Sequence, residues 1–237
     1  MKNTRAVVLL TFLLFSGAAE AQNVYTFADF VNVSGDSLKE RYDNAIAQGR
    51  QGITDTFWIA YEMSPRMNVR INSADGIDVL QRNSPERTGM FLVVRKSDNV
   101  IEKLRIVDLS RDISVHDRKV YWLGKPTSDE SAGLLLNIAR TSTSVQVKKD
   151  AVFWLGLEMS RRAGDELEKL ASDDPELQIQ KQVVFALSLR NNDESIPSLI
   201  RIAKEHYNPA VRQQAIFWLG QKRDPRVLDF FDQLLKK

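Results

Sequence analysis

The chain has 237 residues, 43% of them hydrophobic and 27% charged, the balance of a globular protein with material for one large core or two small ones. It contains no cysteine, which excludes disulfides, thiolate metal sites, cysteine nucleophiles and haem attachment through cysteine. A formal net charge of +2 gives it no electrostatic reason to seek nucleic acid or anionic lipid.

At the start, Lys2 and Arg5 precede a ten-residue apolar run from Ala6 to Phe15, and Gly17-Ala18-Ala19-Glu20-Ala21 places small residues at the spacing a signal peptidase reads. This predicts a signal peptide over 1–21, cleavage after Ala21, and an exported protein, periplasmic or extracellular. The apolar run is ten residues, too short to cross a bilayer core of about 30 Å. No later run is long enough either, so no membrane insertion is expected once the leader is removed. Cleavage takes away Lys2, Arg5 and Glu20 and leaves the remainder near neutral.

Residues 22–111 read as a small α+β unit. After the Ser34-Gly35-Asp36 break a helix is expected from about Ser37 to Gln48. Phe57 to Met63 is rich in strand formers. Phe91 to Lys96 and Val100 to Val107 flank the turn-prone Ser97-Asp98-Asn99, which predicts a β-hairpin.

Beyond them the chain repeats itself. Ala151 to Gly156 reads AVFWLG, and 64 residues later Ala215 to Gly220 reads AIFWLG. Midway stands VVFALS, from Val183 to Ser188, and 32 residues before the first copy stands KVYWLG, from Lys119 to Gly124. Val115, Val147, Ile179 and Val211 keep the same step, as do Leu135, Leu167, Leu199 and Phe231. Within each unit the apolar residues recur at three- and four-residue intervals, the mark of amphipathic helices. Asp174-Pro175 and Asn208-Pro209 each join a capping side chain to proline at the first helical position. Ser128-Asp129-Glu130-Ser131 opens another helix with acidic residues at the positive end of its dipole. Two helices in each 32-residue period predict a mostly α chain with an α-α solenoid over 112–237. The first unit fits least: Lys119 replaces the small Ala151 and Ala215, and His116-Asp117-Arg118 starts a helix poorly. KVYWLG is therefore expected to be partly extended there, with three secure repeats following. Pro225 to Lys237 is expected to be a first-type helix without its partner, closing the stack.

The stretch Asn208 to Gly220, NPAVRQQAIFWLG, closely resembles the second helix of short HEAT repeats of the phycobilisome-lyase type, whose pattern runs Asp-Pro-x-Val-Arg-x-x-Ala-Ala-x-Ala-Leu-Gly. Asp193 to Lys204, DESIPSLIRIAK, is similar to the family's first helix. The resemblance covers roughly 112–237. It implies a solenoid whose second helices line a concave docking surface, and it implies interaction rather than chemistry.

Signatures of catalysis are missing: no Gly-x-Ser-x-Gly, no His-Glu-x-x-His and no phosphate-binding glycine loop. His116 and His206 are expected to be solvated surface residues. Asp108, Asp112, His116 and Asp117 have a spacing that could hold a cation, but a polar connector accounts for them as well, and no metal or cofactor is expected. Gly124, Gly156 and Gly220 are expected to be left-handed helix caps, and Trp122, Trp154 and Trp218 to pack between helices.

The informative departure from the family is one place before those tryptophans. Tyr121, Phe153, Phe185 and Phe217 stand where the family usually has a polar residue. On a helix, 149, 150 and 153 share one face, while 147, 151, 154 and 155 turn inward. Stacked repeats would then align Phe153, Phe185 and Phe217 as a ladder, with Lys149, Lys181 and Gln213 as a row beside it. Either the N-terminal unit or tight packing covers these aromatics, or they form an exposed binding groove. The reading that follows is an exported, non-catalytic interaction module that binds a protein or peptide in the cell envelope. The alternative is a lyase-like or other enzyme using the concave surface.

Overall fold

The computed structural model describes residues 24–65, 70–71, 77–78, 87–110, 113–116, 118–158 and 160–236. The expected signal peptide, 1–21, lies outside the described residues, as do Asp112 and Asp117. In chain order the strands are β1 (Val24–Thr26), β2 (Val31–Asn32), β3 (Thr56–Met63), β4 (Arg70–Ile71), β5 (Ile77–Asp78), β6 (Thr88–Arg95), β7 (Ile101–Asp108), β8 (Ser114–His116) and β9 (Val120–Trp122). The helices are α1 (Leu38–Gly49), α2 (Ser128–Thr141), α3 (Val145–Leu157), α4 (Arg162–Asp173), α5 (Leu177–Ser188), α6 (Asn192–Glu205), α7 (Pro209–Gly220) and α8 (Pro225–Leu235).

Among the described residues the largest sheet has five strands in the order β2-β9-β3-β6-β7. β6 and β7 form the expected hairpin, and Asn99 in its turn adopts a φ of 60°, a left-handed conformation that asparagine tolerates better than most residues. β9 lies parallel to both neighbours, between β2 and β3. It is the hexamer KVYWLG, and it is strand where its three counterparts are helix. The slot between two strands satisfies its backbone on both sides: Trp58 N–H donates to Lys119 O (3.0 Å), Leu123 N–H to Ala60 O (2.8 Å) and Val33 N–H to Trp122 O (3.0 Å). Val120, Tyr121 and Trp122 are all buried, as a central strand requires. Strand structure therefore continues past residue 111, with β8 paired to β1 in a separate two-stranded sheet and β9 in the five-stranded one, and the helical array starts at Ser128.

One sheet face packs against the helices, and the resulting apolar core is continuous from Val33 to Phe230. The other face carries a second cluster built on Phe30, Phe91 and Trp122. At the junction, the Glu130 carboxylate accepts from Thr127 N–H (2.9 Å) and from Leu38 N–H (2.8 Å), so one side chain caps α2 and also satisfies the start of α1.

The helices form successive antiparallel pairs, α2 with α3, α4 with α5, and α6 with α7, followed by α8. Within them Leu135, Leu167 and Leu199 are fully buried in register, and so are Leu155 and Leu219. Asn208 caps α7 by accepting from Ala210 N–H (2.9 Å), with Pro209 at the first position. Asp174 acts differently from expectation. α5 begins at Leu177, and the Asp174 carboxylate instead accepts from Glu176 N–H and binds Lys148 of the preceding repeat at 3.1 Å.

The expected glycine caps are also corrected. Of these three glycines only Gly124 has a left-handed φ, 76°, and it follows a strand. Gly156 lies inside α3, where the backbone of Ala186 approaches so closely that a side chain does not fit.

Candidate interaction face

α3, α5 and α7 lie side by side, so equivalent residues form rows across the array. Val147, Ala151, Trp154 and Leu155 of α3 turn inward and are buried. Lys149, Asp150 and Phe153 are half-buried on the opposite side, as are Lys181, Gln182 and Phe185 of α5, while Gln213 and Phe217 of α7 are exposed. The rings of Phe153 and Phe185 stack, with centroids 6.1 Å apart and planes at 21°. The next ring on Phe185 is Trp218, at 5.0 Å, and Phe217 stands edge-on to Trp218 with 55% of its surface exposed. The stack thus steps by 33 residues rather than 32 at its last rung, bringing in a tryptophan that sequence reasoning assigned to the core. Trp218 occupies the place of Trp154 and Ala186, and that small alanine was the one signal that the row is irregular.

The N-terminal sheet reaches one end of the stack: β7 packs on α3, and Arg105 lies in the electrostatic neighbourhood of Asp150. Burial raises the Asp150 carboxyl above the usual carboxylate range, offset in part by the Gln146 amide (2.7 Å), Lys149 and Arg105. Lys149 and Lys181 make no ion pair among the described residues, whereas Lys148, one residue away, is tied to Asp174 and Glu176. Burial alone would lower the Lys148 ammonium, but the two carboxylates outweigh it and raise it. The face is therefore a half-buried ring stack, walled by β7 at one end, open at α7, and edged by two lysines.

Behind it lies a polar joint that sequence reasoning missed. Arg190 is 1% exposed; its guanidinium donates to Glu158 O (3.3 Å), Ser160 O (2.6 Å) and the Glu194 carboxylate (2.8 Å). Ser131 Oγ donates to the Glu158 carboxylate and sits 3.4 Å from the Tyr61 hydroxyl, which burial pushes up strongly. These contacts join the sheet, α2 and the links after α3 and α5. Arg190, Glu158, Ser131 and Ser160 are buried, and Glu194 is partly exposed.

His206 is buried rather than solvated. Its Nε2 donates to Ala171 O (2.9 Å), its Nδ1 accepts from Asn208 N–H (3.1 Å), and its ring stacks on Tyr207. Asp108 accepts from Ser110 N–H at 3.0 Å. Among the described residues no group of three His, Asp or Glu side chains could hold a metal ion, and no helix is long and apolar enough to cross a membrane.

The helical rows and their inward leucines are the geometry of a repeat family, and residues 164–237 match the family model of HEAT repeats. This segment is made of HEAT repeats. It runs from within α4 to the end of the chain, and α3 continues its 32-residue register upstream. A comparison with curated proteins returned no match. HEAT repeats suggest an interaction or scaffold module; Phe185 and Trp218 of the ring stack lie within the matched segment, and Phe153 lies upstream of it.

Proposed function

We propose that this is an exported, non-catalytic protein of the cell envelope that holds an acidic segment of a partner protein or peptide against α3, α5 and α7. The observation that carries this reading is the pairing of Lys149 and Lys181, without an ion pair among the described residues, with the Phe153–Phe185–Trp218 stack. A half-buried lysine left unpaired is available to a carboxylate, and stacked rings supply rigid apolar area with little side-chain entropy to lose. Export rests on the charged start, the apolar run and the Ala19-Glu20-Ala21 site.

Two measurements test it. A photo-crosslinker at Gln213, beside the stack, should capture a discrete partner from envelope extract, and the Lys149→Glu/Lys181→Glu variant should lose that capture. An unchanged capture pattern would remove the face from consideration. N-terminal sequencing of the exported protein should begin at Gln22; a mature form that retains residues 1–15 contradicts the cleavage.

A further inference from the structure

The ring stack has a cation on its far side as well. Lys181 and Phe185 stand four residues apart on one side of α5, as Lys149 and Phe153 do on α3, so these lysines border the rings toward the helix N-termini. Toward the C-termini the bordering cation is Lys222, half-buried and four residues after Trp218. Its Nζ reaches across to the end of α5 and donates to Arg190 O at 3.2 Å. An ammonium carries three N–H donors, and this carbonyl takes one. No carboxylate of the described residues pairs with Lys222, whereas two hold Lys148. Burial pushes the Lys222 ammonium below the ordinary lysine value, and no neighbouring charge of the described residues opposes the shift. A cation stripped of part of its water, without a counter-charge, is stabilised by a carboxylate that arrives beside it.

Spacing decides what kind of acidic ligand fits. From Lys181 to Phe185 is four residues of α5, about 6 Å along its axis, and from Phe185 to Arg190, where Lys222 is held, is about 7.5 Å more. Alternate side chains of an extended chain lie ~6.6 Å apart on one face, which matches both steps. Along this line the apolar surface is a single ring deep, because Phe153, Phe185 and Trp218 stack side by side across the helices. A helix docks through several apolar residues at i, i+3, i+4 and i+7, and here it would meet charge on both banks.

We propose that the partner segment crosses the stack in extended form, carrying an acidic, an apolar and a second acidic residue at alternate positions. The proposal rests on the acidic-partner reading above and assigns each side chain a place. The first carboxylate falls between Lys149 and Lys181, the apolar side chain rests on the rings at Phe185, and the second carboxylate meets Lys222.

Two capped peptides of one composition test this. Gly-Glu-Ser-Phe-Ser-Glu-Gly has its acids two residues from the phenylalanine, and Gly-Ser-Glu-Phe-Glu-Ser-Gly has them one residue away. Each is titrated into the whole protein and followed by the NMR signal of the Trp218 indole N–H, which has no hydrogen-bond partner among the described residues. The first peptide should bind at least about tenfold more tightly than the second. Lys222→Gln keeps a donor for Arg190 O, so its melt should match wild type, but it should weaken the first peptide by about tenfold. A one-acid form of that peptide, with one glutamate replaced by glutamine, should distinguish Lys222→Gln from wild type by less than about threefold. Equal binding of the two isomers overturns the proposal, as does a Lys222→Gln variant with wild-type affinity, or the absence of any shift at about 5 mM peptide. Capture at Gln213 still judges the face itself in each of those cases, so the two readings fail separately.

Discussion

Gly156 and Gly220 occupy the same place in two copies of one hexamer, yet the same substitution should have opposite effects on them. In Gly156→Ala the new Cβ would lie 2.7 Å from Ala186 O, 2.8 Å from its Cβ and 2.9 Å from its Cα. Two of these three atoms are backbone, so α3 and α5 would have to move apart. Such overpacking costs roughly 1–3 kcal/mol, against a helix-propensity gain of roughly 1 kcal/mol for alanine over glycine. The net expectation is a destabilisation of about 1 kcal/mol. Gly220→Ala meets no atom within 4 Å and should stabilise by roughly 0.5 kcal/mol through the unfolded chain. Removing the Ala186 methyl in the Gly156→Ala background should rescue little, since the carbonyl contact remains. Urea melts with unchanged slopes measure all three variants. Equal effects at Gly156 and Gly220 would refute the claim that helix proximity, rather than chain flexibility, selects glycine in α3.

Leu155→Ala and Leu219→Ala each empty a fully buried position and should cost roughly 2–5 kcal/mol in the same melts; losses below about 0.5 kcal/mol would contradict the inward face. Arg190→Met removes the donor of two buried carbonyls, while the Glu194 carboxylate keeps the Asn191 amide (2.8 Å), and should lower stability by roughly 1–3 kcal/mol. Glu130→Gln tests a pH dependence. Thr127 N–H and then Leu38 N–H hold the Glu130 carboxyl below its ordinary value, so its contribution is present above that value and disappears as pH falls through the folded one. Wild type should exceed Glu130→Gln in thermal stability near pH 7, and the gap should close as pH falls below the ordinary carboxylate value and through the lowered folded one. A gap independent of pH would assign the effect to packing.

The repeat was legible because inward leucines and small residues recur at a fixed step, and burial is what that step encodes. The hairpin was legible because Asn99 can take the left-handed turn that Ser97 and Asp98 approach. KVYWLG was only half legible. Its residues suit a strand and a helix alike, and the choice is made by an open slot between β2 and β3, which no local pattern records. The ring stack shows the same limit at finer scale. A 32-residue register names Phe217 as the last rung, but the ring that meets Phe185 is Trp218, one residue on. Arg190 gave no signal, because a charged residue just after a helix ordinarily reads as solvent-facing.

The strand β9 has a mechanical consequence. It is held on both edges inside the sheet, while the helices it leads into share that sheet's core, so the helical array is clamped at one end. A stack in which each layer touches only its neighbours, clamped at one end, gains compliance layer by layer away from the clamp. Amide exchange should accordingly be slowest in β3 and β6 and fastest in α8, with the helix pairs graded between them. A ligand lying along the rings from Phe153 to Trp218 would bridge rigid and yielding ground. Its grip at the α3 end would meet a preformed surface, and at the α7 end it would set the curvature of the array.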